Sequence, residues 1–224
     1  MSMYWILFIG IAVASYLVQS NLKRKFEVYS RQPCPYSGKE VAEMMLRAHG
    51  IYDVRVISTS GRLTDHYNPT DKTVNLSEDV YASYSVAAAA VAAHECGHAV
   101  QHACAYGPLK MRSALVPAVS FASSWMQWIL LIGIFTIQTF PQIMLGGIIL
   151  FAMTTLFSFI TLPVEINASM RATRWLRQAD IVSPSSYPMA VDALRSAAYT
   201  YVVAALSSLA TLVYYVSIFL GRRD

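Results

Sequence analysis

Charged side chains are scarce in this chain. Asp, Glu, Lys and Arg make up 13% of its 224 residues, against roughly 25% in an ordinary soluble domain. The shortage is concentrated: residues 1–22, 113–164 and 196–221 contain none of the four. A helix needs about 20 mostly apolar residues to cross the hydrocarbon core of a bilayer, so the outer stretches hold one span each and the middle one holds two. Spans are expected near 3–19, 121–138, 142–162 and 199–220. This pattern excludes a plain soluble enzyme, a secreted disulfide scaffold and a disordered chain. Cysteine is sparse as well. Cys34, Cys96 and Cys104 are odd in number and form no Cys-x-x-Cys pair, as free thiols in a reducing compartment would be. RNP motifs, zinc fingers and Gly-rich phosphate loops are missing, so nucleic acid is not an expected partner despite the net charge of +4. The basic residues, Lys23 to Lys25 and Arg171, Arg174 and Arg177 among them, lie next to the spans, where anionic lipid head groups are the natural counter-charge.

The flanks of the first apolar stretch set an orientation. A secretory signal places its basic residues before the apolar run, whereas here Lys23, Arg24 and Lys25 follow it. The stretch reads as an uncleaved anchor with its N-terminus outside and residue 23 onward in the cytoplasm. The expected organisation is a membrane anchor over 1–22, a cytoplasmic segment over 23–112, two spans within 113–164, a second cytoplasmic helical segment over 165–198, a fourth span over 199–221 and a tail of 222–224. Of 17 basic residues, 11 fall in the first cytoplasmic segment and 4 in the second. Arg222 and Arg223 fall beyond the last span, against the rule.

Within 23–112, Ser37 with Glu40 three residues on is a capping-box signature opening an amphipathic helix to about Ala48, stopped by His49 and Gly50. Val54 to Ile57 reads as a short strand. Leu63 to Tyr67 and Lys72 to Leu76 flank the turn Asn68-Pro69-Thr70-Asp71 and read as a β-hairpin. Residues 73–76 are a candidate edge strand for an extended peptide, with an ordinary solvated hairpin as the alternative. Ser77, Glu78 and Asp79 are expected to open a long helix that runs to about Tyr106.

That helix contains His94-Glu95-Cys96-Gly97-His98, an H-E-x-x-H sequence. The two histidines lie about 40° apart around the axis and one turn apart along it, so both imidazoles reach one metal ion. Glu95, on the flank, is placed to take a proton from water and pass it to a leaving amine. The bland alternative is a buried helix whose histidines bond to neighbouring backbone. A catalytic zinc needs a third protein ligand and an open position. His102 shares the face, but three successive turns span about 12 Å, too far for one ion. Glu165, the only acid next to a membrane span, is the remaining candidate, unless it is simply a charge paired with Arg171 or lipid. His66 and Tyr67 of the hairpin are candidates for donating to the developing oxyanion, though a hairpin histidine can equally be structural.

The segments Leu63-Thr64-Asp65-His66-Tyr67-Asn68-Pro69, Ala92 to His102 around the H-E-x-x-H, and Leu162-Pro163-Val164-Glu165 with Asn167 to Ala172 closely resemble the YugP-type neutral zinc metallopeptidases of bacterial membranes, and more distantly the HtpX-type membrane proteases. The resemblance covers nearly the whole chain. It implies Zn²⁺ held by His94, His98 and Glu165, with Glu95 as general base. It further implies a mainly α-helical integral membrane protein of four transmembrane helices, with a gluzincin-like cytoplasmic metalloprotease domain containing a small β-hairpin. The chain would then be a metalloendopeptidase of the bacterial cytoplasmic membrane, multi-pass and with its site facing the cytoplasm, whose partners are protein or peptide substrates and the lipid bilayer. Two positions depart from the pattern. Cys96 stands where an aliphatic residue is common. Ser169 stands four residues after Glu165, where gluzincins place a carboxylate, leaving Ser169, Asn167, His66 and His102 as supporting candidates. The competing readings are a zinc-stabilised scaffold or client-binding protein that does not cleave, an intramembrane protease and a transporter. A closed structural zinc site usually takes four ligands including Cys, and Cys96 and Cys104 point away from the histidine face. A transporter usually carries ionisable groups inside its spans, and these spans have none.

Overall fold

A computed structural model describes residues 3–221, with side chains from residue 5. Arg222 and Arg223 lie outside the described residues. The chain is mainly helical, in the order α1 (Met3–Tyr29), α2 (Gly38–Ala48), β1 (Arg55–Thr59), β2 (His66–Asn68), β3 (Thr73–Ser77), α3 (Glu78–Tyr81), α4 (Val86–Ala103), α5 (Gly107–Thr136), α6 (Pro141–Gln178) and α7 (Tyr187–Gly221). Four helices, Trp5–Tyr29, Gly107–Thr136, Pro141–Gln178 and Tyr187–Gly221, are long and apolar enough to cross a membrane. They are the four expected from the uncharged stretches, but they run further. α6 continues past Pro163 without a break, so Glu165 stands on the same helix as the span expected over 142–162.

The chain divides into two compact units. One comprises the described parts of Met1–Leu17, Lys110–Leu162 and Thr200–Asp224. Its helices meet through small residues, since lipid offers no hydrophobic drive and close backbone approach supplies the attraction. A Cβ on Gly133 of α5 would lie 2.6 Å from the Cα of Met144 on α6. Leu130, Met144 and Ile148 are buried there, and the hydroxyls of Thr155 and Ser208 bond at 2.7 Å. Large apolar side chains such as Phe121, Trp125, Trp128 and Val213 stay exposed on the protein itself, as lipid-facing residues do.

The second unit comprises Val18–Leu109 and Pro163–Tyr199. α4 lies at its centre, and alanines make that position possible: Ala87 to Ala90, Ala92 and Ala93 are buried, and their small side chains let neighbours close in on every face. Val41, Met45 and Leu46 of α2, Val74 and Leu76 of β3, Leu176 of α6 and Leu194 of α7 complete the core. The capping box of α2 is present, with the Glu40 carboxylate accepting from the Ser37 backbone N–H at 2.7 Å.

Three expectations are corrected here. The long helix from Ser77 is broken into α3 and α4. The segment between them is held extended, the Cys34 N–H donating to the Tyr84 carbonyl and the Val86 N–H to the Gln32 carbonyl, both at 3.0 Å, and Ser85 caps α4 afresh by accepting from Ala88 N–H. Ser77 caps nothing with its side chain. Its hydroxyl and backbone N–H donate instead to the Asp65 carboxylate. The strand expected as an edge is the central one, because β1 pairs with β3 in parallel (Arg55 opposite Thr73) while β2 pairs antiparallel on its other side (His66 opposite Asn75). Every residue of β3 is buried. Asp192 accepts from Lys25 Nζ at 2.8 Å and from the Tyr29 hydroxyl at 2.6 Å, tying the end of α1 to the start of α7.

Candidate metal centre

α4 presents His94 and His98 one turn apart, with ring centroids 4.8 Å apart and planes at 84°. α6 brings Glu165 opposite them. Its Oε2 lies 3.3 Å from His94 Nε2 and 3.6 Å from His98 Nε2, and one ligand atom from each residue falls within 4.8 Å of the others. Gly97 permits the approach, because a Cβ there would stand 2.6 Å from the Ala168 carbonyl oxygen of α6.

Glu165 Oε2 is buried and accepts no hydrogen bond. An orphaned carboxylate oxygen facing two imidazole nitrogens is costly in a low-dielectric interior, and a cation among the three relieves that cost. The donor set of two nitrogens and one oxygen suits zinc, which takes His and carboxylate ligands at about 2.0–2.2 Å. Burial works against charge on His98, yet the neighbouring carboxylates of Glu165 and Glu95 and a bond to Gln101 outweigh it and hold its pKa above the ordinary imidazole value. Glu95 is buried on the same helix, and its carboxylate takes no hydrogen bond among the described residues.

The other candidates stand at varied removes. Ser169 Oγ lies 3.1 Å from His94 Nδ1. Asn167 Oδ1 accepts from Gln101 Nε2 at 3.0 Å and from Arg171 Nε at 2.7 Å. His102 is exposed at the end of α4, its Nδ1 2.8 Å from the Tyr67 hydroxyl. His66 is exposed on β2, with Nδ1 2.7 Å from the Thr64 carbonyl. It is outside the converging group, as is Cys96, whose thiol bonds the Ala42 carbonyl at 3.5 Å. Sequence reasoning missed Gln101, which touches His98 Nδ1 at 3.0 Å. The available signal was a polar residue three positions after His98 on a helix that the alanines mark as buried.

Residues 4–220 match the family described as "Putative neutral zinc metallopeptidase". The chain belongs to this zinc metallopeptidase family. A curated relative in Bacillus subtilis (strain 168), named "Putative membrane protease YugP", is 42% identical over 224 residues, covering 97% of this chain and 99% of that one. No solved structure matches. Zinc is thus the cofactor that this zinc metallopeptidase takes, and His94, His98 and Glu165 are the group able to hold it.

Proposed function

We propose that the protein is a zinc metalloendopeptidase that hydrolyses peptide bonds of proteins or peptides at the cytoplasmic face of a bacterial membrane. The observation that carries this reading is the convergence of His94, His98 and Glu165 from two helices, with buried Glu95 next in chain to His94. Three protein ligands among the described residues, rather than four, favour a catalytic site over a structural one, because a position is left open for the reaction. When bound, zinc supplies a Lewis acid that polarises the scissile carbonyl and makes water easier to deprotonate. The Glu95 carboxylate accepts the proton of the attacking water and then delivers it to the leaving amine nitrogen, a role that an acceptor free of other hydrogen bonds can fill. His94 and His98, whose Nε2 atoms face Glu165, would hold the metal as neutral imidazoles. Segments 23–112 and 165–198 supply the site between them. The cytoplasmic placement rests on the basic residues that follow the first apolar stretch.

Glu95→Gln tests the mechanism. The side chain is nearly isosteric and is not a ligand, so zinc content and fold stay at the wild-type level. Its amide cannot take the proton, so peptide turnover by zinc-loaded protein falls about 100-fold to 10,000-fold. Equal, chelator-sensitive turnover in wild type and variant would overturn Glu95 as base. Zinc-loaded wild-type protein that cleaves no member of a peptide library, in detergent and in lipid, would favour the scaffold reading.

A further inference from the structure

Gln101 is fully buried, and each of its polar atoms has a partner. An amide side chain has one acceptor oxygen and an NH₂ with two donor hydrogens. Nε2 donates to the Val164 carbonyl at 2.8 Å and to Asn167 Oδ1 at 3.0 Å. Both are on α6, and Val164 is the residue before Glu165. Oε1 lies 3.0 Å from His98 Nδ1.

The donors and acceptors around Gln101 fix which way its amide faces. Arg171 has only donors, so the Asn167 atom that its Nε meets at 2.7 Å must be the oxygen. That oxygen, together with the backbone carbonyl of Val164, requires the NH₂ of Gln101 to face α6. The oxygen of Gln101 therefore faces His98, and Nδ1 of His98 carries the proton. Nε2, 3.6 Å from Glu165 Oε2, is the ring nitrogen left to hold a metal when the imidazole is neutral. At His94 nothing comparable operates, because the Ser169 hydroxyl next to its Nδ1 can donate or accept. The guanidinium that begins the chain of assignments stands over the Tyr106 ring, 6.0 Å from its centroid.

We propose that Gln101 is the positioning residue of the metal site: it sets the tautomer and ring orientation of His98 and ties that ligand to the helix that carries Glu165. This role rests on the metal-site reading above. One side chain fixes two ligands that arise on different helices, so the distance between them does not depend on general packing alone.

The test is zinc affinity of the full-length protein in detergent, measured by chelator competition and accompanied by the absorption spectrum of the cobalt(II) form. Gln101→Met keeps length and removes every hydrogen bond, whereas Gln101→Glu keeps an acceptor for His98 Nδ1. Removing a partner of this kind typically costs 10-fold to 100-fold in metal affinity. Gln101→Met is expected to lose affinity in that range and to shift the cobalt spectrum, and Gln101→Glu, which restores the acceptor for His98 but not the donors to α6, is expected to recover part of the loss. A residue that merely fills space would lower thermal stability and leave the affinity and spectrum of folded protein unchanged. That result would overturn the proposal. A measurement on wild type is independent of whether the variants fold: in ¹⁵N-histidine spectra of the zinc-loaded protein, His98 is expected to be protonated at Nδ1, and zinc on Nδ1 would overturn the proposal. If instead wild type binds no zinc, or His98→Ala leaves binding unchanged, the metal-site reading itself has failed.

Discussion

His102 and Glu165 show how differently two candidate ligands fare once neighbours are counted. His102 is exposed and already engaged with the Tyr67 hydroxyl, while Glu165 is buried with an oxygen that accepts no hydrogen bond. Glu165→Ala is therefore expected to empty the site, and His102→Ala to leave zinc content at the wild-type level. Elemental analysis of the purified variants checks both, and the opposite pattern would transfer the third ligand to the histidine. The pairing of His94 with His98 was legible from spacing alone, because one helical turn fixes it. Gln101 was not, because its donors are spent on Val164 and Asn167 of another helix, and nothing local marks that meeting. Ser169 could be singled out only as a departure from an expected carboxylate. Its 3.1 Å approach to His94 Nδ1 needs both helices in place.

Among the elements, the crossing of α4 and α6 depends most on one residue. A Cβ at position 97 would come within 2.6 Å of the Ala168 oxygen and 3.1 Å of its carbonyl carbon and Cα. All of these are backbone atoms, so α6 itself must shift, and Glu165 shifts with it. Gly97→Ala is expected to weaken zinc binding by at least about 10-fold, the low end of what a displaced supporting group costs, with helix content unchanged in circular dichroism. Adding Ala168→Gly should not rescue it, since the clash is with backbone. Wild-type zinc affinity in Gly97→Ala would show that the helices can part without cost to the site. Elements defined by neighbours in sequence were readable in advance, as with the capping box of Ser37 and Glu40. The break before Val86 was not, because hydrogen bonds from a segment some fifty residues earlier impose it. Nor was the burial of β3, which depends on a parallel partner that no turn connects to it.

For the molecule as a whole, the orientation in the membrane is the claim most open to direct measurement, and the cysteines supply the probe. Cys34 and Cys96 are buried. Burial raises the thiol pKa of both, in Cys34 against the opposing pull of the Tyr36 backbone N–H, so neither offers much thiolate at neutral pH. Cys104 is exposed at the end of the helix that bears the histidines. A maleimide that cannot cross membranes is expected to miss Cys104 in intact cells and to label it after permeabilisation, with Cys104→Ser abolishing the fast reaction. Labelling in intact cells would place the metal site outside. The continuity of α6 from an apolar stretch through Glu165 has a consequence in time as well as in space. A ribosome adds about 5–20 residues per second, and it completes His94 and His98 well before it reaches Glu165, with two apolar stretches to make in between. Until α6 emerges, the nascent chain holds the pair of histidines without Glu165. The order of synthesis thus withholds the group able to hold the metal until the helix that carries Glu165 has been made.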